Sequence, residues 1–351
     1  MLSLRAAAVL KSIVGQYIVK ATPVPSQSII NDSELRVSSA TVRNEMVRLE
    51  QQGYITRRHP SAGSVPLDKG YRYYVETLAG IELPLAEQLM ISHLFHQVEK
   101  ELEEWLRLSA TLVARFVRNV AIVTKPKPVS CRLKHVELLA LQDSLALLVL
   151  ILYGAKVRQQ LVVFDQVVSQ PELTATANKL NAAYSGLTCS QILAKTTDLS
   201  PAEDQLTQCL VKIMQTEDKQ EYEEPYLDGL HYMLNQPEFA SRYRAQTFME
   251  LIEHRELLRV ILPSELGELG VQVVIGKENK AEVIHDYSIV ISRYGVPGEA
   301  VGTIGIVGPT RMPYARAIST VHYLSSVLSG LVAELYGKEM PMGRVQRKSD
   351  S

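Results

Sequence analysis

The chain has 351 residues, of which 46% are hydrophobic and 21% are charged, and its formal net charge is −1. This length predicts two or three domains, and this composition excludes a disordered or fibrous chain and is typical of a globular protein with a sizeable core. The three cysteines, Cys131, Cys189 and Cys209, are far apart and odd in number. They exclude a disulfide framework and a CxxC metal or redox motif, so we expect reduced, buried thiols.

The sequence predicts a cytoplasmic location. Arg5, Lys11 and Lys20 interrupt the first 20 residues, where no small-residue cleavage site stands, which argues against a secretory signal. The most apolar run, Leu145–Tyr153, is nine residues long. A helix needs about 20 apolar residues to cross a bilayer, so we interpret this run as a buried strand and expect no membrane contact.

The beginning of the chain predicts two helices that are separated by prolines. Apolar residues recur at helical spacing over Arg5–Val19, and the run Thr22–Pro25 ends this helix, since proline and the residue before it disfavour helical backbone. Ser26 can then cap a short second helix that carries Ile29 and Ile30.

A third helix is predicted to begin near Ser38 or Ser39. If Ser38 is its cap, Val37 and Val42 form a hydrophobic staple that fixes the entry of the chain into the helix. Gly53 is a suitable residue just beyond its C-terminal end.

A small hairpin follows, with short strands predicted over 54–58 and 64–67. Three helices followed by a hairpin is the layout of a winged helix-turn-helix. We therefore assign residues 1–75 to a DNA-binding domain of this kind.

The remainder of the chain predicts an α+β domain that is interrupted by an insertion. A connector helix is predicted over 85–117, acidic in its middle and apolar later. The other predicted elements are strands over 120–123, 136–141, 145–152 and 160–164, a mainly helical block over 171–260, strands over 271–275, 284–291 and 300–307, and a last amphipathic helix over 313–336. The tail over 343–351 is polar and is expected to be disordered.

Charge is unevenly distributed along the chain. Residues 1–75 carry ten Lys/Arg and five Asp/Glu, a local net charge of +5. The remaining residues carry 27 basic and 33 acidic residues, a net charge of −6. A basic N-terminal region followed by an acidic remainder is expected when only the N-terminal region contacts phosphates.

The third helix carries the predicted DNA-reading surface. At 100° per residue, Val42, Met46 and Leu49 share one face and can pack on the first two helices. The opposite side presents Ala40, Arg43, Asn44, Val47 and Arg48. Asn can pair with adenine and Arg with guanine, while small residues allow close approach to the groove. Ser38, Ser39 and Thr41 stand at the helix N-terminus, which offers donors to a phosphate.

The hairpin and the segment after it add further candidate DNA contacts: Arg57, Arg58, His59, Gly63, Lys69 and Arg72. Gly63 would give the hairpin tip a residue that tolerates positive φ. Three nearby tyrosines, at 71, 73 and 74, could stack on bases, but we expect them to anchor the hairpin on the helices.

Four runs of sequence resemble the HrcA family of bacterial heat-inducible transcription repressors. Ser38–Glu45 (SSATVRNE) and His59–Tyr74 (HPSAGSVPLDKGYRYY) are similar to the family's winged-helix signature. Tyr226–Phe239 (YLDGLHYMLNQPEF) and Gly308–Tyr323 (GPTRMPYARAISTVHY) are further matches, so the resemblance covers almost the whole chain.

This resemblance implies a homodimeric repressor of chaperone operons that binds an inverted-repeat operator, the CIRCE element, through one winged helix per half-site. It implies that DNA binding depends on the chaperonin GroEL. It also implies a GAF-like domain, here over 76–168 and 246–340, an inserted mainly helical dimerising domain over 169–245, and a polar tail over 341–351.

The sequence departs from the family around the hairpin. The family usually has a basic residue after the Ser-Ala-Gly triplet, where this chain has Ser64, and Pro25, Pro60 and Leu67 also differ from the usual residues. If residue 64 touches phosphate, the loss of its charge lowers the salt dependence of DNA binding by about one ion.

Other functions find less support. The glycines of Gly295–Gly308 form neither GxGxxG nor GxxxxGK[ST], and the histidines show no HExxH, so we expect no enzyme, no cofactor and no metal. A small-molecule-gated repressor that uses a GAF-like pocket remains an alternative. A winged helix that binds only protein is disfavoured by the basic residues on the exposed face.

Overall fold

The computed structural model describes residues 2–30, 38–59, 62–78, 80–98, 101–127, 131–153, 157–195, 199–219, 224–253, 270–297 and 299–337. Contacts divide the chain into two compact units. The main unit comprises Met1–Pro126, Glu224–Val296 and Gly302–Ser351. The inserted unit comprises Lys127–Glu223 and Pro297–Val301.

The N-terminal segment, residues 2–78 of the main unit, has the predicted order of three helices and a hairpin. Its elements are α1 (Leu4–Lys20), α2 (Ser26–Ile30), α3 (Ser39–Gln51), β1 (Ile55–Thr56), β2 (Val65–Pro66) and α4 (Asp68–Glu76). The strands are shorter than predicted. The expected contribution of Val37 to a hydrophobic staple lies outside the described residues.

Local sequence explains where these elements begin and end. The Ser3 hydroxyl caps α1 by accepting from the Ala6 amide at 3.1 Å, and Ser38 caps α3 by accepting from the Thr41 amide at 3.2 Å. Gly53, with φ of 73°, follows the last turn of α3 as predicted. β1 and β2 are antiparallel, and Val24 forms an antiparallel bridge with Ser64 that widens this small sheet.

The predicted helix over 85–117 is wrong as a single element. The chain forms α5 (Leu85–Gln97) and α6 (Leu102–Val117), with extended backbone at Val98 and Glu101. The sequence has four glutamates within six residues here, at 99, 101, 103 and 104. Like charges four residues apart destabilise a helix, so the acidic middle is where a continuous helix is least favoured.

A five-stranded sheet forms the body of the main unit, in the order β7-β3-β10-β9-β8. Its strands are β3 (Val120–Val123), β7 (Tyr226–Asp228), β8 (Val271–Ile275), β9 (Tyr287–Val296) and β10 (Ala300–Pro309). Alternate side chains point to two apolar clusters, as the two-residue repeat of a strand requires. One cluster contains residues of α6 and α12 (Tyr314–Leu335), and the other contains residues of α10 (Leu230–Leu234) and α11 (Arg242–Glu253).

The N-terminal segment and this sheet share a continuous core. Leu10 of α1, Tyr71 of α4 and Tyr314 of α12 belong to one cluster of buried residues, and the two tyrosine rings lie 5.9 Å apart. Among the described helices, only α12 is long and apolar enough to cross a membrane. Ten of its 22 residues are buried, which is also seen in core helices of globular proteins.

The inserted unit is built on a three-stranded antiparallel sheet, in the order β4-β5-β6. Its elements are β4 (Leu133–Gln142), β5 (Leu145–Leu152), β6 (Val157–Val163), α7 (Gln170–Tyr184), α8 (Cys189–Ala194) and α9 (Pro201–Lys219). One face of the sheet packs with α7, α8 and α9 around Leu148, Leu150 and Leu180.

These bounds correct the sequence expectation of a mainly helical insertion over 169–245. The insertion runs from Lys127 to Glu223, because β4, β5 and β6 pair with one another instead of joining the central sheet. The residues after it return to the main unit, where β7 pairs with β3.

Candidate nucleic-acid interface

The exposed face of α3 has the predicted composition. Val42, Met46 and Leu49 are buried against the other helices of the N-terminal segment. The five residues predicted for the opposite side are all exposed: Ala40, Arg43, Asn44, Val47 and Arg48. A cation, an amide and an apolar side chain therefore project together from one helix face.

Some polar side chains on or beside this face already have partners within the fold. Arg48 lies 3.3 Å from the nearly buried carboxylate of Glu45, and its own side chain stays largely exposed. The hydroxyls of Ser38 and Thr41 are 2.9 Å apart and serve the helix cap, while Ser39 is exposed beside them. Exposed amides and hydroxyls at a helix N-terminus can donate to a phosphate.

Arg57 has a different place from the one expected. Its amide donates to Glu50 Oε1 at 3.1 Å and its Nε donates to Glu50 Oε2 at 3.1 Å, and its guanidinium also pairs with this carboxylate. The Arg57 side chain is only 9% exposed. It joins the hairpin to α3, and we leave it out of the candidate contact surface. Arg58 and His59, the next residues, are exposed.

Gly63 and Ser64 also differ from expectation. The φ of Gly63 is not positive, and a Cβ there would lie 2.5 Å from the carbonyl carbon and oxygen of Pro23. Glycine is needed for this close approach and not for a turn. Ser64 is fully buried, with its amide donating to the Val24 carbonyl at 2.7 Å. The difference from the family at residue 64 therefore lies inside the fold, so the expected loss of a phosphate contact does not follow from it.

Lys69 and Arg72 lie on α4. The Lys69 ammonium donates to the Gln52 carbonyl at 3.0 Å and lies 4.4 Å from the centre of the Tyr54 ring, but the residue is exposed. Arg72 instead faces the body of the main unit. Its guanidinium pairs with Glu278, which raises the pKa of Arg72, and donates to the Val273 carbonyl at 2.7 Å. We leave Arg72 out of the candidate contact surface.

Tyr71, Tyr73 and Tyr74 lie on α4, after the hairpin, and anchor this helix on the core, whereas the sequence prediction had them anchor the hairpin on the helices. Tyr71 is buried in the core, and Tyr73 and Tyr74 are half-buried against it. Tyr73 also meets Tyr54 edge-on, with ring centres 6.1 Å apart. These rings are engaged within the fold.

One residue that contacts the N-terminal segment was missed in the sequence. Arg311 donates to the carbonyl of Ile18, in the last turn of α1, at 2.7 Å. It also pairs with Glu238 at 2.7 Å. Burial would raise the pKa of Glu238, but hydrogen bonds and the nearby positive charge, mainly from Arg311, outweigh it, so this pKa lies below its usual value. The matched runs 226–239 and 308–323, which contain the two residues, were the available signal.

Within the described part of the chain, no group of three His, Cys, Asp or Glu side chains is placed to hold a metal ion. Three of the glycines in the 295–308 run, Gly302, Gly305 and Gly308, lie inside β10 and pack closely on neighbouring residues. They do not form a loop around a phosphate.

Comparison with known proteins decides the family. The family model described as the HrcA protein C terminal domain matches residues 103–318. The heat-inducible transcription repressor HrcA of Dehalococcoides mccartyi is 56% identical over 338 residues, which are 96% of this chain and 98% of that protein. The chain belongs to the HrcA family. The HrcA repressor of Roseiflexus castenholzii is 40% identical over 94% of each chain.

The HrcA relatives are transcription repressors, and this member is accordingly a heat-inducible transcription repressor and not an enzyme. A crystal structure described only as that of a hypothetical protein at 2.2 Å resolution has the same fold, with a TM-score of 0.61 and 22% identity. It covers 95% of this HrcA chain and 99% of its own.

Proposed function

We propose that this HrcA-family chain represses transcription by binding double-stranded DNA through a winged helix-turn-helix formed by its N-terminal segment. The observation that carries the proposal is the exposed face of α3, where Arg43, Asn44 and Val47 project away from the packed side of the helix. A helix of this width fits the major groove. There Arg and Asn can each form two hydrogen bonds with guanine or adenine, and valine can contact a thymine methyl group.

The contacts that position the helix would come from groups around it. Ser39 and the N-terminus of α3 can donate to a phosphate, and Arg58 and His59 extend from the hairpin as exposed cationic or neutral donors. Lys69 is also exposed, but its ammonium already donates one hydrogen bond to the Gln52 carbonyl. Contacts of this kind contribute affinity and salt dependence and carry no base specificity.

We further propose a homodimer that forms through the inserted unit. The strand register places Leu139, Leu147 and Leu161 in one row across β4, β5 and β6, with Leu145 and Val163 adjacent in the next row. Leu161 is 57% exposed. The opposite face of the same sheet packs on helices, and one exposed face of an antiparallel sheet is normally polar.

A continuous apolar row on an exposed sheet face marks a surface that another protein covers. We assign it to a second copy of this chain, because a twofold dimer matches the symmetry of an inverted repeat. The resemblance to the HrcA family supports the same assignment.

The remaining proposals rest on the family resemblance. The five-stranded sheet with α6, α10, α11 and α12 would be the GAF-like domain. The operator would be the CIRCE inverted repeat upstream of chaperone operons. GroEL would be the protein partner that maintains DNA-binding competence. Because we propose that the protein binds an operator and a chaperonin, we also propose a cytoplasmic location.

Footprinting on the DNA upstream of the organism's own chaperone operon tests these proposals together. We expect protection of two symmetric half-sites, with strong protection only when chaperonin is present. Full protection without chaperonin would favour the small-molecule-gated alternative. The absence of any protected inverted repeat under both conditions would contradict the proposed function.

A further inference from the structure

Two matched sequence runs that contribute nothing to the α3 surface meet at the end of α1. Arg311, from the run 308–323, pairs with Glu238, from the run 226–239, through Nε at 2.7 Å and through a second nitrogen at 3.1 Å. The same guanidinium donates to the Ile18 carbonyl at 2.7 Å. We call these three groups the Arg311 clamp. It joins the N-terminal segment to the body of the main unit.

The chemistry of this clamp makes it directional. The Ile18 carbonyl lies in the last turn of α1, where no further turn of the helix supplies an N–H donor to it. The C-terminal end of a helix also carries partial negative charge, which attracts a cation. The planar guanidinium can hold a carboxylate at two points only in a fixed orientation. The Arg311 side chain is 13% exposed, so water competes weakly for these bonds.

Hydrogen bonds extend the Arg311 clamp to the end of α6. Gln236 accepts from Arg311 at 3.4 Å and donates to the Arg118 carbonyl at 3.0 Å and to Asn119 Oδ1 at 2.7 Å. Arg118 ends α6 in the left-handed conformation, and β3 begins just after Asn119. The end of α1 is therefore tied to the point where α6 meets the central sheet.

A second polar contact holds the segment at a different element. Arg72 of α4 pairs with Glu278 and donates to the Val273 carbonyl, and Asp68 accepts from the Lys277 amide at 3.0 Å. A Cβ on Gly276 would lie 2.4 Å from the Asp68 carboxylate, so the backbone approaches as closely as it can. Attachment at both α1 and α4 leaves the segment little freedom to rotate on the body.

We propose that Arg311 is a positioning residue for DNA binding, which fixes the orientation of α3 on the body and thereby the half-site spacing that a dimer accepts. This inference rests on the proposed function, since spacing has meaning only for a dimer on an inverted repeat. Arg311 lies on the body and acts on DNA only through the orientation of α1. Its loss should therefore affect spacing selectivity and leave the affinity for one half-site intact.

The test compares the full-length Arg311→Met variant with the wild type on a series of duplexes, with chaperonin present as in the footprinting. These contain the footprinted operator with its natural spacer, with spacers changed by one, two and five base pairs, and a single half-site. Two base pairs rotate one half-site by about 70° around the DNA axis. Arg107→Met is the matched control, because Arg107 is an exposed arginine of α6 that lies 3.9 Å from Glu104.

For the wild type and Arg107→Met, we expect affinity to fall at least about tenfold when the spacer changes by two base pairs. The reason is that the two N-terminal segments of the dimer can then no longer bind both half-sites at once. For Arg311→Met, we expect this penalty to shrink to less than about threefold, with half-site affinity and dimer mass unchanged. Arg72→Met should also reduce the dependence of affinity on spacer length. If Arg72 were a phosphate contact, its loss would instead weaken binding to every duplex alike.

If removal of Arg311 alone prevents folding because the half-buried Glu238 carboxylate loses its partner, the Arg311→Met/Glu238→Met double variant removes both charges together. An unchanged spacing profile in either variant would overturn the proposal. So would an equal loss of affinity on every duplex, including the half-site, because that pattern reports a damaged fold. A wild type that does not distinguish the inverted repeat from scrambled DNA would contradict the proposed function itself.

Discussion

The salt bridge between Arg57 and Glu50 gives a prediction that separates a structural arginine from a DNA contact. If Arg57 binds phosphate, Arg57→Met weakens DNA binding and lowers the salt dependence by about one ion. Glu50→Gln would then strengthen binding, because it removes a negative charge near DNA. If Arg57 instead joins the hairpin to α3, both variants lower the free energy of unfolding and neither changes the salt dependence.

The structure sets the size of this effect. The Glu50 carboxylate accepts from the Arg57 amide and from its guanidinium, and the Arg57 side chain is almost completely buried. Breaking a fully buried pair costs about 3–5 kcal/mol. Glu50 is one-third exposed, so solvent screening reduces the expected loss to about 1–3 kcal/mol. For a unit of this size, each kcal/mol lowers the melting temperature by about 2–4 °C.

The assay is thermal unfolding of the full chain alone, together with operator binding over a range of salt concentrations with chaperonin present. We expect both variants to melt several degrees below the wild type, while affinity at room temperature changes less than about threefold, because the native state still dominates. Arg107→Met is again the control. The reasoning would be refuted by a melting temperature within 1 °C of the wild type, together with a lower salt dependence in Arg57→Met and tighter binding in Glu50→Gln.

Three further predictions concern the remaining surfaces. Arg58→Ala should weaken binding to operator and scrambled DNA alike and lower the salt slope by about one, which a titration over salt measures; a loss confined to operator would assign Arg58 to base reading. Gly63→Ala should lower the free energy of unfolding by about 1–3 kcal/mol, because the new Cβ overlaps the Pro23 backbone, and a denaturant titration that shows no loss would contradict the close approach. Leu161→Lys should convert the dimer to a monomer in light scattering, whereas Leu193→Lys, at another exposed leucine of the inserted unit, should not; a persisting dimer would remove the sheet face as the interface.

Periodicity and capping residues were sufficient to predict the elements that depend on local sequence. The buried face of α3, its Ser38 cap and its end before Gly53 are confirmed, and β8 has the predicted bounds. In these elements the spacing of apolar residues and the cap chemistry act within a few residues of one another. The same information sufficed to place the exposed face of α3, since a helix that buries one side must present the other.

Contacts between distant residues were not predictable in this way. An arginine on a basic segment has the same local sequence whether it meets a phosphate or a carboxylate, and Glu278, the partner of Arg72, is 206 residues away. The inserted unit was placed too late in the chain because strand pairing is a tertiary choice. An apolar strand such as β5 can join either sheet, and nothing local distinguishes the two outcomes.

The base specificity of the α3 surface tests the central claim most directly. The measurement is the ratio of the affinity for the footprinted operator to that for scrambled DNA, with chaperonin present, in the wild type, in the Arg43→Ala/Asn44→Ala variant and in the Arg107→Ala control. We predict that the α3 variant loses about 2–6 kcal/mol of this discrimination, since each side chain can contribute about 1–3 kcal/mol, while its melting temperature and non-specific affinity change little. A ratio equal to that of the wild type would contradict the assignment of α3 as the helix that reads DNA.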